Sequence, residues 1–182
     1  MSDRELGKKM GEEEELLFFL EAYKEVVEEY LSYSFGRHER PDFICYRPDD
    51  TPVGIELVKV MRDPRDAQAD LIFHRIEYMD GEDALETLYY LIDKKDKKRQ
   101  QSDWILSNNT ILVLQFFDCP ISALNFIDDS LKNDFKSFGF DEIWIADYTG
   151  VEAYGDIELF CLYPSEWWGF YARNNPGRKP FG

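Results

Sequence analysis

The sequence predicts an α/β domain, with α+β as the alternative. Its architecture is three layers, a mixed central sheet of about five strands flanked by helices. Segments with helical periodicity alternate with short strand-like runs along all 182 residues. One of those runs, Thr110 to Phe117, is almost continuously apolar, as a strand buried on both faces must be. That run enters between two helical segments, which implies at least one parallel pairing. Hydrophobic residues make up 44% of the chain and aromatics 16%, enough for one core, so residues 1–182 read as a single domain. Residues 1–11 are expected to be flexible, and 165–182 form an irregular tail with no periodicity.

The first helix is expected over Glu12 to Leu31. Leu16, Leu20, Tyr23, Val27, Tyr30 and Leu31 share one face. Glu12 to Glu15 would then load the first turns with acid, complementing the helix dipole. A polar loop containing Gly36 follows, from Tyr33 to Arg40. Asp42 to Tyr46 reads as a strand, Pro48-Asp49-Asp50-Thr51-Pro52 as a turn, and Val53 to Val60 as a second strand. Residues 61–81 fit a lid, a dimer arm or a plain connector equally well. A helix is expected over Asp83 to Arg99, opened by an Asp83–Glu86 capping box and carrying Leu85, Leu88 and Ile92 on its apolar face. After the central strand, Ser122 to Phe138 reads as a helix stopped by Gly139. Glu142 to Tyr148 and Glu158 to Tyr163 read as two more strands, divided by a loop holding Gly150 and Gly155.

The chemistry-bearing feature is the hairpin. Asp42 opens its first strand, and Glu56 interrupts the apolar second strand. Burying an unpaired carboxylate is costly, so an acid in that position requires a partner or a ligand. Side chains alternate along a strand, so Glu56, Val58 and Val60 share one face, with Ile55, Leu57 and Lys59 on the other. A hairpin can bring Asp42 beside Glu56. Two carboxylates at one sheet end make a hard oxygen site suited to Mg²⁺ or Mn²⁺.

The helix, the hairpin, Pro41-Asp42 and the later Glu56 together resemble the PD-(D/E)XK nuclease superfamily, the restriction-endonuclease-like fold. The resemblance implies a metal-dependent phosphodiesterase, a hydrolase in which Asp42 and Glu56 hold the ion. It also implies a catalytic Lys two residues after the second acid, but that position is Val58. Lys59 is adjacent, on the opposite face. Some members supply this Lys from the following helix. At about 100° per residue, Lys95 and Arg99 continue the inward stripe of Leu85, Leu88 and Ile92, whereas Lys94 and Lys97 point away. Lys95 is therefore the candidate for the third catalytic position. The superfamily often carries a Glu on the first helix as well, and Glu21 and Glu28 flank the apolar stripe here. Gln115, inside the apolar central strand, either lines the site or pairs elsewhere. The structural alternatives are a turn or cap role for Asp42 and an ion pair from Glu56 to Lys95, Arg62 or Arg75.

Composition bounds the partners. The formal charge is −16, which disfavours nucleic acid without excluding a local basic groove, and favours a basic protein partner. The second functional expectation follows from it: a catalytically inactive acidic binding protein, of the immunity or antitoxin kind, that neutralises a basic partner. Lys94 to Arg99 holds the basic run, which reads as phosphate contact or as a solvated helix end. Cys45, Cys119 and Cys161 lack zinc spacing and read as reduced core thiols of a cytoplasmic chain. Two histidines, His38 and His74, exclude a His-rich metal site. Nucleotide-binding glycine loops, a signal peptide and a membrane-spanning run are all missing from the sequence, so no membrane role is expected. Trp167, Trp168, Phe170 and Tyr171 form a late aromatic patch, either a partner surface or cover for the last strand.

Overall fold

The computed structural model describes residues 3–33, 40–60, 81–117, 119–121 and 129–169. Helix α1 (Asp3–Val27) is followed by β1 (Ser32–Tyr33), β2 (Phe43–Tyr46) and β3 (Pro52–Val60). Helix α2 (Gly81–Arg99) leads into β4 (Thr110–Phe116), then β5 (Glu142–Asp147), the one-turn helix α3 (Val151–Tyr154) and β6 (Glu158–Tyr163). The six strands form one sheet in chain order. β3, β4 and β5 run parallel, and β1, β2 and β6 extend the sheet antiparallel at its two sides. The fold is thus the expected mixed three-layer α/β sheet, with six strands rather than five.

Strand alternation sorts the core into two layers. Ile55, Ile111, Val113, Trp144 and Ala146 face α1, where Leu16, Phe19, Leu20, Tyr23 and Val27 pack on them. Val58, Val60, Leu112, Leu114, Ile143 and Ile145 face α2, where Ala84, Leu88 and Ile92 cover them. Every residue of β4 is buried, as its continuous apolar run requires. Trp167 lies against Trp144, and Trp168 packs on Phe135 and Phe160, so this part of the aromatic patch covers the core. Phe170 and Tyr171 lie outside the described residues, as do His38, His74, Arg62 and Arg75 and nearly all of 61–81.

Several boundaries differ from expectation for identifiable reasons. Helix α1 begins at Asp3, nine residues before Glu12, so Glu12 to Glu15 lie mid-helix; Glu13 bonds Tyr33, and Glu15 bonds Lys59 and Gln115, instead of serving the dipole. It ends at Val27; Leu31 stays buried beyond it, and Tyr30 is exposed. Glu28 follows the helix with φ of 59°, its N–H bonded to Lys24 O. Helix α2 begins at Gly81, which places Asp83 in the first turn rather than at the cap. Over 129–138 the chain makes a 3₁₀ turn at Asp129–Leu131 followed by further turns, not continuous α-helix. Polar Lys132, Asn133 and Asp134 favour turns there, and Phe135 is the one fully buried anchor of the stretch.

A second acid opens a strand, and it is buried. Glu142, 3% exposed, accepts hydrogen bonds from Tyr23 OH at 3.0 Å, Trp144 Nε1 at 2.8 Å and Arg47 Nη2 at 3.0 Å. Arg47 also pairs with Glu29 at 2.9 Å and Asp141 at 3.1 Å. Burial raises the Glu142 carboxyl, opposed by Trp144, Arg47 and Tyr23. The three cysteines are buried and form no disulfide among the described residues, and burial pushes the Cys45 thiol up to about 12, which makes it inert. No helix among the described residues is long and apolar enough to cross a membrane.

Candidate functional site

The site forms where β2 begins and β3 runs on. Phe43 stands opposite Ile55, so Asp42, one residue before β2, falls opposite Glu56. Beyond that point β2 no longer supplies ladder partners to β3. The two acids fill the gap reciprocally: Leu57 N–H donates to Asp42 Oδ2 at 3.0 Å, and Asp42 N–H donates to Glu56 Oε2 at 2.9 Å. Gly54 makes this approach possible. A Cβ on it would meet the Pro41 ring at 2.6 Å and Thr110 Oγ1 at 3.0 Å, so the glycine lets Pro41 seat and thereby positions Asp42.

Glu56 is 3% exposed and lies on the α2 face of the sheet. Lys95 reaches it from α2, with Nζ 2.7 Å from Oε1. Helical spacing therefore places Lys95 at the acid pair, where it is an ion-pair partner of Glu56; Arg62 and Arg75, the other two alternatives, lie outside the described residues. Val58 is buried in the α2 layer. Lys59 points the other way, to Glu15 Oε1 at 3.2 Å and over the Phe117 ring. Gln115 donates to Glu15 Oε2 at 3.1 Å, which answers its burial without involving the acid pair. Glu21 and Glu28 are solvent-facing. The acid of α1 that acts on the site electrostatically is Glu12, whose charge helps raise Asp42. The spacing Glu12–Leu16–Phe19–Tyr23 continues the inward stripe one turn earlier, and that was the available signal for it.

Asp42 is the strained member. Burial, then the Glu56 charge, push its carboxyl up to about 7, while Leu57 N–H and Lys95 oppose the shift. A folded-state pKa raised above the unfolded value means that the folded protein binds more protons between roughly pH 4 and 7. Stability is consequently lost as pH rises through that window. Asp42→Asn keeps the acceptor for Leu57 N–H and removes the repulsion. Its melting temperature is expected to exceed that of the parent at pH 8, with the advantage shrinking toward roughly pH 4; a variant less stable than the parent at pH 8 contradicts the frustrated-pair account.

Cations gather around this pair despite the acidity of the whole chain. The Lys98 ammonium is pulled below its ordinary value by Lys95, by burial, and by Lys94 and Arg40. Arg40 bonds Gln101 and Asp103 at the same end of the sheet. Among the described residues no group of three or more His, Cys, Asp or Glu side chains is arranged to hold a metal. The donor set is therefore the pair Asp42 and Glu56, with water left to complete any coordination. No family model matches the chain, and no curated protein or solved structure matches it.

Proposed function

We propose that the chain is a Mg²⁺- or Mn²⁺-dependent phosphodiesterase of the PD-(D/E)XK type with a rearranged site. The observation that carries this reading is the meeting of Asp42, Glu56 and Lys95, which come from a strand start, a strand interior and a separate helix. Helix α1, the β2–β3 hairpin, helix α2 and the parallel strand β4 follow one another along the chain, and the helix-then-hairpin order supports the reading; β1 is an additional edge strand.

The donors fit a hard divalent ion. Mg²⁺ is commonly held by one or two carboxylates and otherwise by water. The raised Asp42 carboxyl marks two acids that repel each other and would gain from a shared cation. When bound there, such an ion supplies an acidified water and stabilises phosphoryl charge. Asp42 and Glu56 provide the oxygens. Lys95 is fixed beside them by the apolar stripe of α2, with its ammonium aimed at the same point. The adjacent Lys94, Lys98 and Arg40 attract a phosphate backbone toward a chain whose global charge would repel it.

Calorimetric titration with Mg²⁺ and Mn²⁺ is the direct test. Binding at millimolar metal, lost in Glu56→Gln, is expected, together with cleavage of plasmid or RNA that Glu56→Ala abolishes. Absence of binding in the parent protein ends this reading. The second reading, an inactive acidic protein that neutralises a basic one, is favoured by a different feature: both carboxylates already accept protein donors, Glu56 from Lys95 and Asp42 from Leu57. It expects stoichiometric recovery of one basic protein on pull-down, unaffected by Glu56→Gln.

A further inference from the structure

The two acids of the candidate site are held by two kinds of partner. Asp42 N–H on Glu56 Oε2 and Leu57 N–H on Asp42 Oδ2 are backbone donors, which cannot leave without opening the start of the β2–β3 pair. Lys95 on Glu56 Oε1 is a side chain, 22% exposed and so with a way out toward solvent. Its ammonium ends a flexible four-carbon stem and can change partner. Its charge serves both acids, because it opposes the upward shift of Asp42 as well as bonding Glu56. Lys95 therefore contests the pair with any dication.

The neighbours of Lys95 supply a means of release. Lys98 lies one turn further along α2, and Arg40, two residues before Asp42, reaches the end of the same helix through Gln101. The Lys98 ammonium is pulled below its ordinary value by Lys95, by burial, and by Lys94 and Arg40, so these four cations repel one another. An anion among them relieves that repulsion and offers Lys95 a second partner. We propose that Lys95 is a latch on the acid pair: a phosphodiester drawn to Lys98, Lys94 and Arg40 takes up the Lys95 ammonium, and Glu56 is then free to hold the metal. The latch rests on the phosphodiesterase reading and adds a rule to it. Metal alone binds weakly, and metal and substrate strengthen each other by the same factor.

Dimethyl phosphate, a small inert diester, is the probe. Mg²⁺ is titrated into the full chain with and without it at matched ionic strength. The amide resonances of Asp42 and Leu57, which donate to the two acids, report the Kd by heteronuclear NMR. In the parent, saturating dimethyl phosphate is expected to lower that Kd by about fivefold or more, the lower end of ordinary coupling between two ligands. Lys98→Gln should lose most of this enhancement. Lys95→Met should bind Mg²⁺ alone more tightly than the parent does and gain little from the anion. Parent and Lys98→Gln keep the Lys95–Glu56 pair, so their comparison stands even if Lys95→Met is too unstable to titrate. A parent Kd that dimethyl phosphate leaves unchanged overturns the latch, as does a Lys95→Met protein that binds Mg²⁺ no more tightly than the parent; the metal site itself survives both results. Coupling that persists in full in Lys95→Met assigns it to simple attraction between the two ions and also overturns the latch. If Mg²⁺ moves neither amide in any of the three proteins, with or without the anion, the phosphodiesterase reading fails and the latch with it.

Discussion

Replacing Arg47 with methionine is expected to cost about 3–5 kcal/mol of stability near pH 7, the range for removing one partner from a buried ion pair. Among the described residues Arg47 is the sole cation bonded to Glu142, and its side chain is only 18% exposed. Without it Glu142 retains Tyr23 and Trp144 as donors, but its charge sits uncompensated beside Glu29 and Asp141. Burial already raises the Glu142 carboxyl, and Arg47 opposes that shift, so its loss raises the carboxyl further. An acid whose folded pKa lies above its unfolded value destabilises the fold as pH rises through the interval between them. The deficit of the variant should therefore be largest at pH 8 and should shrink toward pH 4–5, roughly where carboxylates protonate. Urea unfolding of parent and variant at pH 5 and pH 8 measures it. A second substitution, Glu142→Gln, should recover much of the loss, because the amide still accepts from Tyr23 and Trp144. An equal deficit at both pH values would mean that Arg47 contributes packing rather than charge.

This Arg47 network illustrates where sequence reading stops. Arg47 and Glu142 are 95 residues apart and meet only because β2 and β5 approach the end of α1 from different sides. Yet Glu142 opens an apolar strand just as Asp42 does, and the same rule applied to both would have marked it. Local periodicity was enough to place the acid pair, to send Lys59 to the opposite face, and to choose Lys95 over Lys94 and Lys97. Each of those follows from a strand period of two or a helical step, which need no tertiary information. Glu12 escaped because the helix was expected to begin with it, and an acid in a first turn has a sufficient local explanation. Once α1 starts at Asp3, that explanation disappears and the inward stripe takes over. Strand β1, two residues long, is too short to carry any period. It exists because Ser32 and Tyr33 find Tyr46 and Cys45 across the sheet edge.

Lys95→Met is expected to destabilise the protein by about 2–3 kcal/mol, slightly below the range for fully buried pairs because the Lys95 side chain is 22% exposed. Among the described residues the variant leaves Glu56 with Asp42 N–H as its remaining donor and a repelling carboxylate opposite. Glu56→Gln should cost less. Its amide oxygen still accepts from Asp42, and a partly exposed Lys95 regains water. The double variant should be more stable than the sum of the two losses predicts, with a coupling of about 1–3 kcal/mol, as for directly contacting partners. Metal then separates the two functional readings without any assay of activity. If Asp42 and Glu56 hold a divalent ion, Mg²⁺ substitutes for the missing ammonium, and Lys95→Met should gain more stability from it than the parent does. Binding to the folded state alone contributes about 1.4 kcal/mol at ten times Kd, enough to read as a shift in melting temperature. Glu56→Gln should show no such gain. If the pair serves only to hold α2 on the sheet, Mg²⁺ leaves all three proteins unchanged, and Lys95 is a structural cation rather than a catalytic one.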